Sequence, residues 1–394
     1  MTRRILRAAL VAFILVILIT ATRFATLAAE PELPTPLLLS VPDPPAPFTG
    51  SDQRIHLVYE LWITNFSSGD AILQTVEVLG EGTVLRKLDA AANSPPTPAR
   101  RSARICFRPA QKHAGDVVHP SRSHGQRQRA SSDLSSRHRA LCGCASQPPG
   151  TDRSGTTSVD PRPILQIGPP LLGVNSVAAD SCCDAARHTR AALPVNGRVW
   201  LAQRYAVDWE QLDQDSRIYA GPREKLESYT IFGKPAIAVA DATVASVIDG
   251  LPEQTPGKYP TDISLDAADG NSIILDLGKG HYALYAHMQP GSLKVRQNDR
   301  VKRGQVLGLV GNTGNSVAPH LHFQLMDGPS SLASNGLPYE IVGFQVTGKT
   351  NGTEAFDHAE AEGTPLAIDA IQPAHSVPKG LPLDQLIIAF PAAR

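Results

Sequence analysis

Net charge is the first thing this 394-residue chain lacks: 37 Lys and Arg offset 37 Asp and Glu. That balance removes the electrostatic reason to expect a nucleic-acid partner. Aromatic residues are scarce, at 5% of the chain, and between Phe66 and Trp200 only Phe107 occurs. Glutamate is absent between Glu81 and Glu210. The five cysteines all lie between Cys106 and Cys183, odd in number and with Cys182 and Cys183 adjacent, so no disulfide framework can be deduced from them. The apolar run Ala8 to Ala21 is shorter than the ~20 residues that cross a bilayer comfortably. Behind Arg3, Arg4 and Arg7 and ahead of the small pair Ala28-Ala29, it reads as a secretory signal over residues 1–29, with an uncleaved N-terminal anchor as the alternative. Export to the periplasm or cell envelope follows, with membrane contact only through that N-terminal segment.

The length allows two modest domains. Residues 30–50, proline-rich from Pro31 to Pro47, read as an extended linker. Residues 51–91 alternate: Ile55, Leu57, Tyr59, Leu61 and Ile63 share one strand face, and Ser67 to Asp70 makes a turn. Ile72 to Leu79 is a second strand, and Gly80-Glu81-Gly82 turns into Thr83-Val84-Leu85. This pattern predicts an incomplete immunoglobulin-like β-sandwich acting as a spacer or docking module. From 92 to 160 the periodicity is lost, and residues 100–140 hold ten Lys or Arg against two Asp. Such a stretch buries too little apolar surface to offset its chain entropy and is expected to be disordered. Its Arg-, Ser-, Pro-, His- and Cys-rich text reads as a local shift of reading frame, the alternative being a basic arm for anionic polymers. Patterning returns near Pro163. Residues 161–348 read as an all-β, mainly antiparallel domain, with Pro235–Val239 pairing Thr243–Ile248 and a last strand at Ile341–Thr347. Residues 349–394 read as a polar tail, in which His358 and His375 sit singly and exposed.

The chemistry concentrates between Tyr282 and Asp327. Residues two apart share a strand face, so His320 and His322 project from one side of a sheet, while His287 ends another apolar strand. A same-face His pair with a third His nearby is metal-site or acid–base geometry.

These residues resemble the lysostaphin/LytM-type zinc endopeptidases, which cut peptide bonds in bacterial peptidoglycan and share a duplicated hybrid motif fold. The resemblance rests on Tyr285-Ala286-His287, on the hairpin Asn298 to Gly308, and on Asn315 to Phe323 with its Pro319-His320-Leu321-His322-Phe323. It covers about Leu201 to Tyr339. It implies a LytM-type β-sheet core, a Zn2+ cofactor, Asp208 and His322 as metal ligands, and His320 and His287 as the catalytic groups flanking an open position. One departure stands out: the His of the family's His-x-x-x-Asp is Arg204 here, and a guanidinium stays protonated and cannot ligate zinc.

His188 is the candidate replacement. If Asn196-Gly197 is a plain two-residue hairpin turn, paired residue numbers sum to 393 and His188 faces Tyr205, on the wrong side of the sheet from Asp208. With one bulge the sum becomes 394, and His188 stands on the Asp208 face beside it.

An exported zinc endopeptidase acting on peptidoglycan peptides is the leading function. The alternative is a degenerate, non-catalytic domain that binds wall peptides or regulates a cell-wall hydrolase, which Arg204 favours and the three retained histidines oppose. The Val301 to Val310 text also resembles a lipoyl or biotinyl carrier barrel, in β-architecture alone.

Overall fold

Strands buried on both faces organise this fold. The computed structural model describes residues 37–66, 71–89, 98–99, 105–106, 135–144, 147–183 and 185–390. An eleven-stranded sheet runs in the order Leu165–Ile167, Tyr339–Thr350, Leu386–Phe390, Gly173–Ala179, Val207–Gln211, Leu321–Met326, His281–Met288, Asn271–Gly278, Ala242–Ile248 and Arg300–Val301. Ile368–Gly380 pairs beside Tyr339–Thr350. Neighbours are antiparallel except Leu165–Ile167 with Tyr339–Ile341. The Leu321–Met326 strand is buried along its whole length. Its odd-numbered Leu321, Phe323 and Leu325 enter the main core with Val207, Trp209, Ala283 and Tyr285. Its even-numbered His322 and Gln324 therefore face the other way, beside Asp208.

Several sequence expectations change. Val195 pairs with Arg198 and Leu193 with Trp200, which is the plain 393 register. The hairpin ends at Leu193, and His188 belongs to no strand: it lies in a one-turn helix, Ala186–Thr189. Pro235–Ile237 pairs with Val306–Leu309 rather than with its sequence neighbour, and Ala242–Ile248 pairs with Asn271–Gly278. The 349–394 segment is no polar tail. It forms the helix Thr353–Glu362 and two strands, and Leu386–Phe390 sits inside the sheet between Gly173–Ala179 and Tyr339–Thr350. Its apolar Leu386-Ile387-Ile388-Ala389-Phe390 text carried that signal. His358 and His375 are exposed, as expected.

The 30–50 stretch is likewise no free linker where it is described. Leu37–Ser40 pairs with Trp62–Asn65, and Phe48 is buried edge-on against Tyr205, ring centroids 5.6 Å apart. Apolar side chains between the prolines find a core there, so the chain is fixed despite its proline content. The Ile55–Ile63 strand is interrupted: only Ile55–His56 and Trp62–Asn65 are strands, and Tyr205 Oη donates to the Val58 carbonyl between them. Within 92–160, where no regular structure is expected, Ser135–Cys144 pairs with both Ala71–Gly80 and Gln147–Ser158. The described residues before Ser158 thus form two antiparallel sheets, one of three strands and one of five, besides the short Phe48–Thr49 and Ile55–His56 pair. Residues 107–134 and the signal or anchor over 1–29 lie outside the described residues. Among the described residues no helix is long and apolar enough to cross a membrane.

Arg204 ties the N-terminal part to the domain. Its side chain is 5% exposed, and its Nε and Nη2 donate to the Glu60 carboxylate at 2.6–3.0 Å, with Asp43 3.3 Å from Nη2. Burial works against the charge, but Glu60 and Asp43 hold the guanidinium firmly protonated. Removing one partner of a buried ion pair leaves the other uncompensated, at a cost of about 3–5 kcal/mol. Arg204→Met is therefore expected to lower the unfolding free energy by that order, and Arg204→Met with Glu60→Leu to recover much of it, as urea unfolding would show.

Asp384 marks how firmly the C-terminal segment is built in. Its carboxylate accepts from Ser181 N at 3.1 Å. Burial first, and the Asp180 charge second, push it from the ordinary 3.8 up to about 7. The folded chain thus holds this proton more tightly than the unfolded one. The stabilisation is complete below the unfolded value and is lost as pH rises through about 7, at about 1.4 kcal/mol per pH unit. Asp384→Asn is expected to be more stable than wild type at pH 8 and about equal at pH 4, measured by thermal melting at both.

Candidate active site

The site begins with a cross-strand pair. Asp208 and His322 are direct register partners on adjacent antiparallel strands, so their side chains stand together on one face. His322 Nδ1 lies 2.8 Å from Asp208 Oδ1. The third group arrives from outside the sheet: after Gly173–Ala179 the chain turns at Asp180, and the one-turn helix carries His188 over Asp208. His188 Nε2 lies 3.2 Å from Asp208 Oδ2, and the His188 and His322 rings meet edge-on at 5.0 Å. Arg187 fixes this helix, bonding Asp180 Oδ2 at 2.6 Å and Asp357 Oδ2 of the Thr353–Glu362 helix at 2.7 Å. Next to the helix, Cys182 and Cys183 are joined in a vicinal disulfide.

His287 reaches the same face by a backbone irregularity. Ala286 pairs with His322, so simple alternation would send His287 to the opposite side. Its φ of 61° re-aims the ring instead. Left-handed backbone is uncommon for residues other than glycine, with His among the better tolerated, and such outliers cluster at functional sites. The ring lies 4.7 Å from that of His320 and 6.0 Å from that of His322. Thus His188, Asp208, His287, His320 and His322 are gathered in one place.

Each imidazole is oriented through its second nitrogen. Carbonyl oxygens only accept, so Nδ1 carries the proton in His287, donating to Thr313 O at 2.7 Å, and in His320, donating to Ala318 O at 2.8 Å. His188 Nδ1 faces Asp180 O at 2.6 Å, and His322 Nε2 faces Gln324 Oε1 at 2.8 Å. Burial would raise the Asp208 carboxyl, yet His188, His320 and His322 together hold it well below the ordinary carboxylate range. Burial lowers the His287 imidazole well below its ordinary value, and the neighbouring His320 and His322 push it further, so it is neutral at pH 7. The His188 imidazole is raised: burial opposes its charge, but Asp208 and then Asp180 outweigh that.

One donor atom each from His188, Asp208 and His322 lie within 4.8 Å of one another, as do those of His287, His320 and His322. Two imidazole nitrogens and a carboxylate oxygen are donors suited to zinc. The side chains of Asp208 and His320 retain 17% and 14% exposure, against 5% for His188 and His322, so solvent reaches the cluster between Asp208 and His320. His188 stands where the bulged register would place it, for a different reason: a helix brings it there. Arg204 takes no part and points to Glu60. Asp180 and Gln324 escaped the sequence reading, although Gln324 shares the strand face of His322 at a spacing of two.

Residues 230–334 match the profile of Peptidase family M23. The match includes His287, His320 and His322 and begins after His188 and Asp208. Glycyl-glycine endopeptidase ALE-1 of Staphylococcus capitis is 44% identical over 73 residues, 18% of this chain and 20% of that protein. Lysostaphin of Staphylococcus simulans is 40% identical over 85 residues, 21% of this chain and 17% of that protein. Peptidoglycan DD-endopeptidase ShyA of Vibrio cholerae is 37% identical over 57 residues, 14% of this chain and 13% of that protein. The chain therefore spans a fifth or less of the length of these relatives. The solved catalytic domain of lysostaphin from Staphylococcus simulans aligns at 22% identity and a TM-score of 0.24, over 41% of this chain and 88% of that one. The chain carries a domain of peptidase family M23, a family of zinc-dependent metallopeptidases, of the lysostaphin/LytM type.

Proposed function

We propose that this protein is an exported zinc metalloendopeptidase that hydrolyses peptide bonds of bacterial peptidoglycan. The observation that carries the proposal is His188 beside Asp208 and His322, a three-donor set that supplies the ligand Arg204 cannot. Zinc, when bound, supplies Lewis acidity toward the scissile carbonyl and an activated water. His188, Asp208 and His322 would hold the ion, and the second ring nitrogens of the two histidines face Asp180 O and Gln324 Oε1. His320 places Nε2 on the solvent-facing side of Asp208, 3.6 Å from Oδ1, and takes the proton of the attacking water. His287, neutral and with its proton at Nδ1, accepts that proton from His320 at Nε2, the two rings lying 4.7 Å apart, and delivers it to the departing amine, which leaves both histidines as they began. Charged in that interval, it also faces the oxygen that becomes anionic. The Arg204 contact with Glu60 and Asp43 removes the support that residue lent to a non-catalytic wall-binding or regulatory role.

His188→Ala and His322→Ala are expected to lose stoichiometric zinc and hydrolysis together. His320→Ala and His287→Ala are expected to keep zinc while hydrolysis of purified peptidoglycan drops roughly 10²–10⁴-fold. Arg204→His is expected to leave zinc affinity unchanged, because position 204 faces Glu60. Zinc retained in full by His188→Ala, or restored to it by Arg204→His, contradicts the ligand set.

A further inference from the structure

Beyond its contact with His322, Gln324 is a buried polar side chain on the site face with no part in the proton transfers above. It is 1% exposed, and its strand neighbour across the sheet is Leu284. Its Oε1 meets His322 Nε2 at 2.8 Å, while its own amide nitrogen is buried without a hydrogen-bond partner among the described residues. An incompletely bonded buried amide costs stability, whereas a methionine of similar length fits such a position without that cost. Among the described residues, the one polar contact this side chain makes is with a metal-ligand candidate.

We infer that Gln324 is a positioning residue that sets the tautomer of His322, an inference resting on the proposed role of His322 as a zinc ligand. A neutral imidazole carries one proton. Both ring nitrogens face acceptors, Nδ1 the Asp208 carboxylate and Nε2 the Gln324 carbonyl, each at 2.8 Å. When an ion takes the Nδ1 position, where the three donors converge, the ring's proton is the one on Nε2 and Gln324 accepts it. Without that acceptor, Asp208 is the sole acceptor at the ring. The Nε2 proton that remains when an ion takes the Nδ1 position then has no acceptor, and the metal-binding form of the ring loses its support. Gln324 thus acts through His322, stabilising the Nε2-protonated tautomer that leaves Nδ1 to the ion.

The test uses the full chain and zinc itself, titrated against a chelator of known affinity. Gln324→Met is expected to bind zinc about 10–100-fold more weakly, with the metal-free protein melting at or above the wild-type temperature. Gln324→Glu, which keeps an acceptor for Nε2, is expected to retain wild-type zinc affinity. In the zinc-loaded wild type the His322 Nε2 proton is expected as a downfield resonance with contacts to Gln324, moving upfield in the Met variant. Unchanged zinc affinity in Gln324→Met, equal loss in Gln324→Glu, or early melting of the Met variant would each overturn the assignment, the last by marking a packing role. Wild type that fails to bind zinc overturns the zinc reading itself and this inference with it, an outcome distinct from all three.

Discussion

Everything at the site depends on keeping one carboxylate ionised inside a sheet. Asp208 stands among strands whose other faces are core, and burial alone would neutralise it or expel it. Three imidazoles compensate, and each is steered by a different part of the fold. His322 comes from the adjacent strand, His320 from the loop leading into it, and His188 from a helix dropped over the sheet. The requirement reaches further. The His188 helix is held by Arg187 to Asp357, so the C-terminal helix contributes to the site although it carries none of the chemistry.

The local rule of strand alternation made much of this readable in the amino-acid order. His320 and His322 share a face because they are two apart, and Asp208 faces them because the strands pair antiparallel. His287 obeys no such rule: it joins them through a left-handed residue that alternation would not place there. His188 was legible as a needed histidine, but its route was not, because four residues of helix between a turn and a hairpin leave no periodic trace. Gln324 was in plain sight on the same strand face, and nothing in sequence says that its carbonyl meets the ring.

The other surprises share one cause. Proline content suggested a linker over 30–50 and polarity suggested a tail over 349–394, yet both segments contain short apolar runs that fill gaps in the sheet and its core. Leu37, Leu39, Phe48 and the Leu386–Phe390 strand are examples. Average composition hides such runs because a few buried side chains decide the packing. Arg204 is the reverse case. Its position in a motif suggested a defect in the metal site, whereas its partners Glu60 and Asp43 lie more than a hundred positions earlier in the chain, beyond the reach of any local pattern.

Two histidine clusters compete for an ion here, with His322 common to both. Anomalous diffraction at the zinc edge from crystals of the zinc-loaded protein distinguishes them directly. The account predicts a single peak bounded by His188 Nε2, an Asp208 carboxylate oxygen and His322 Nδ1, at bonding distances of about 2.0–2.2 Å. A peak among His287, His320 and His322, or none within reach of His188, would contradict it.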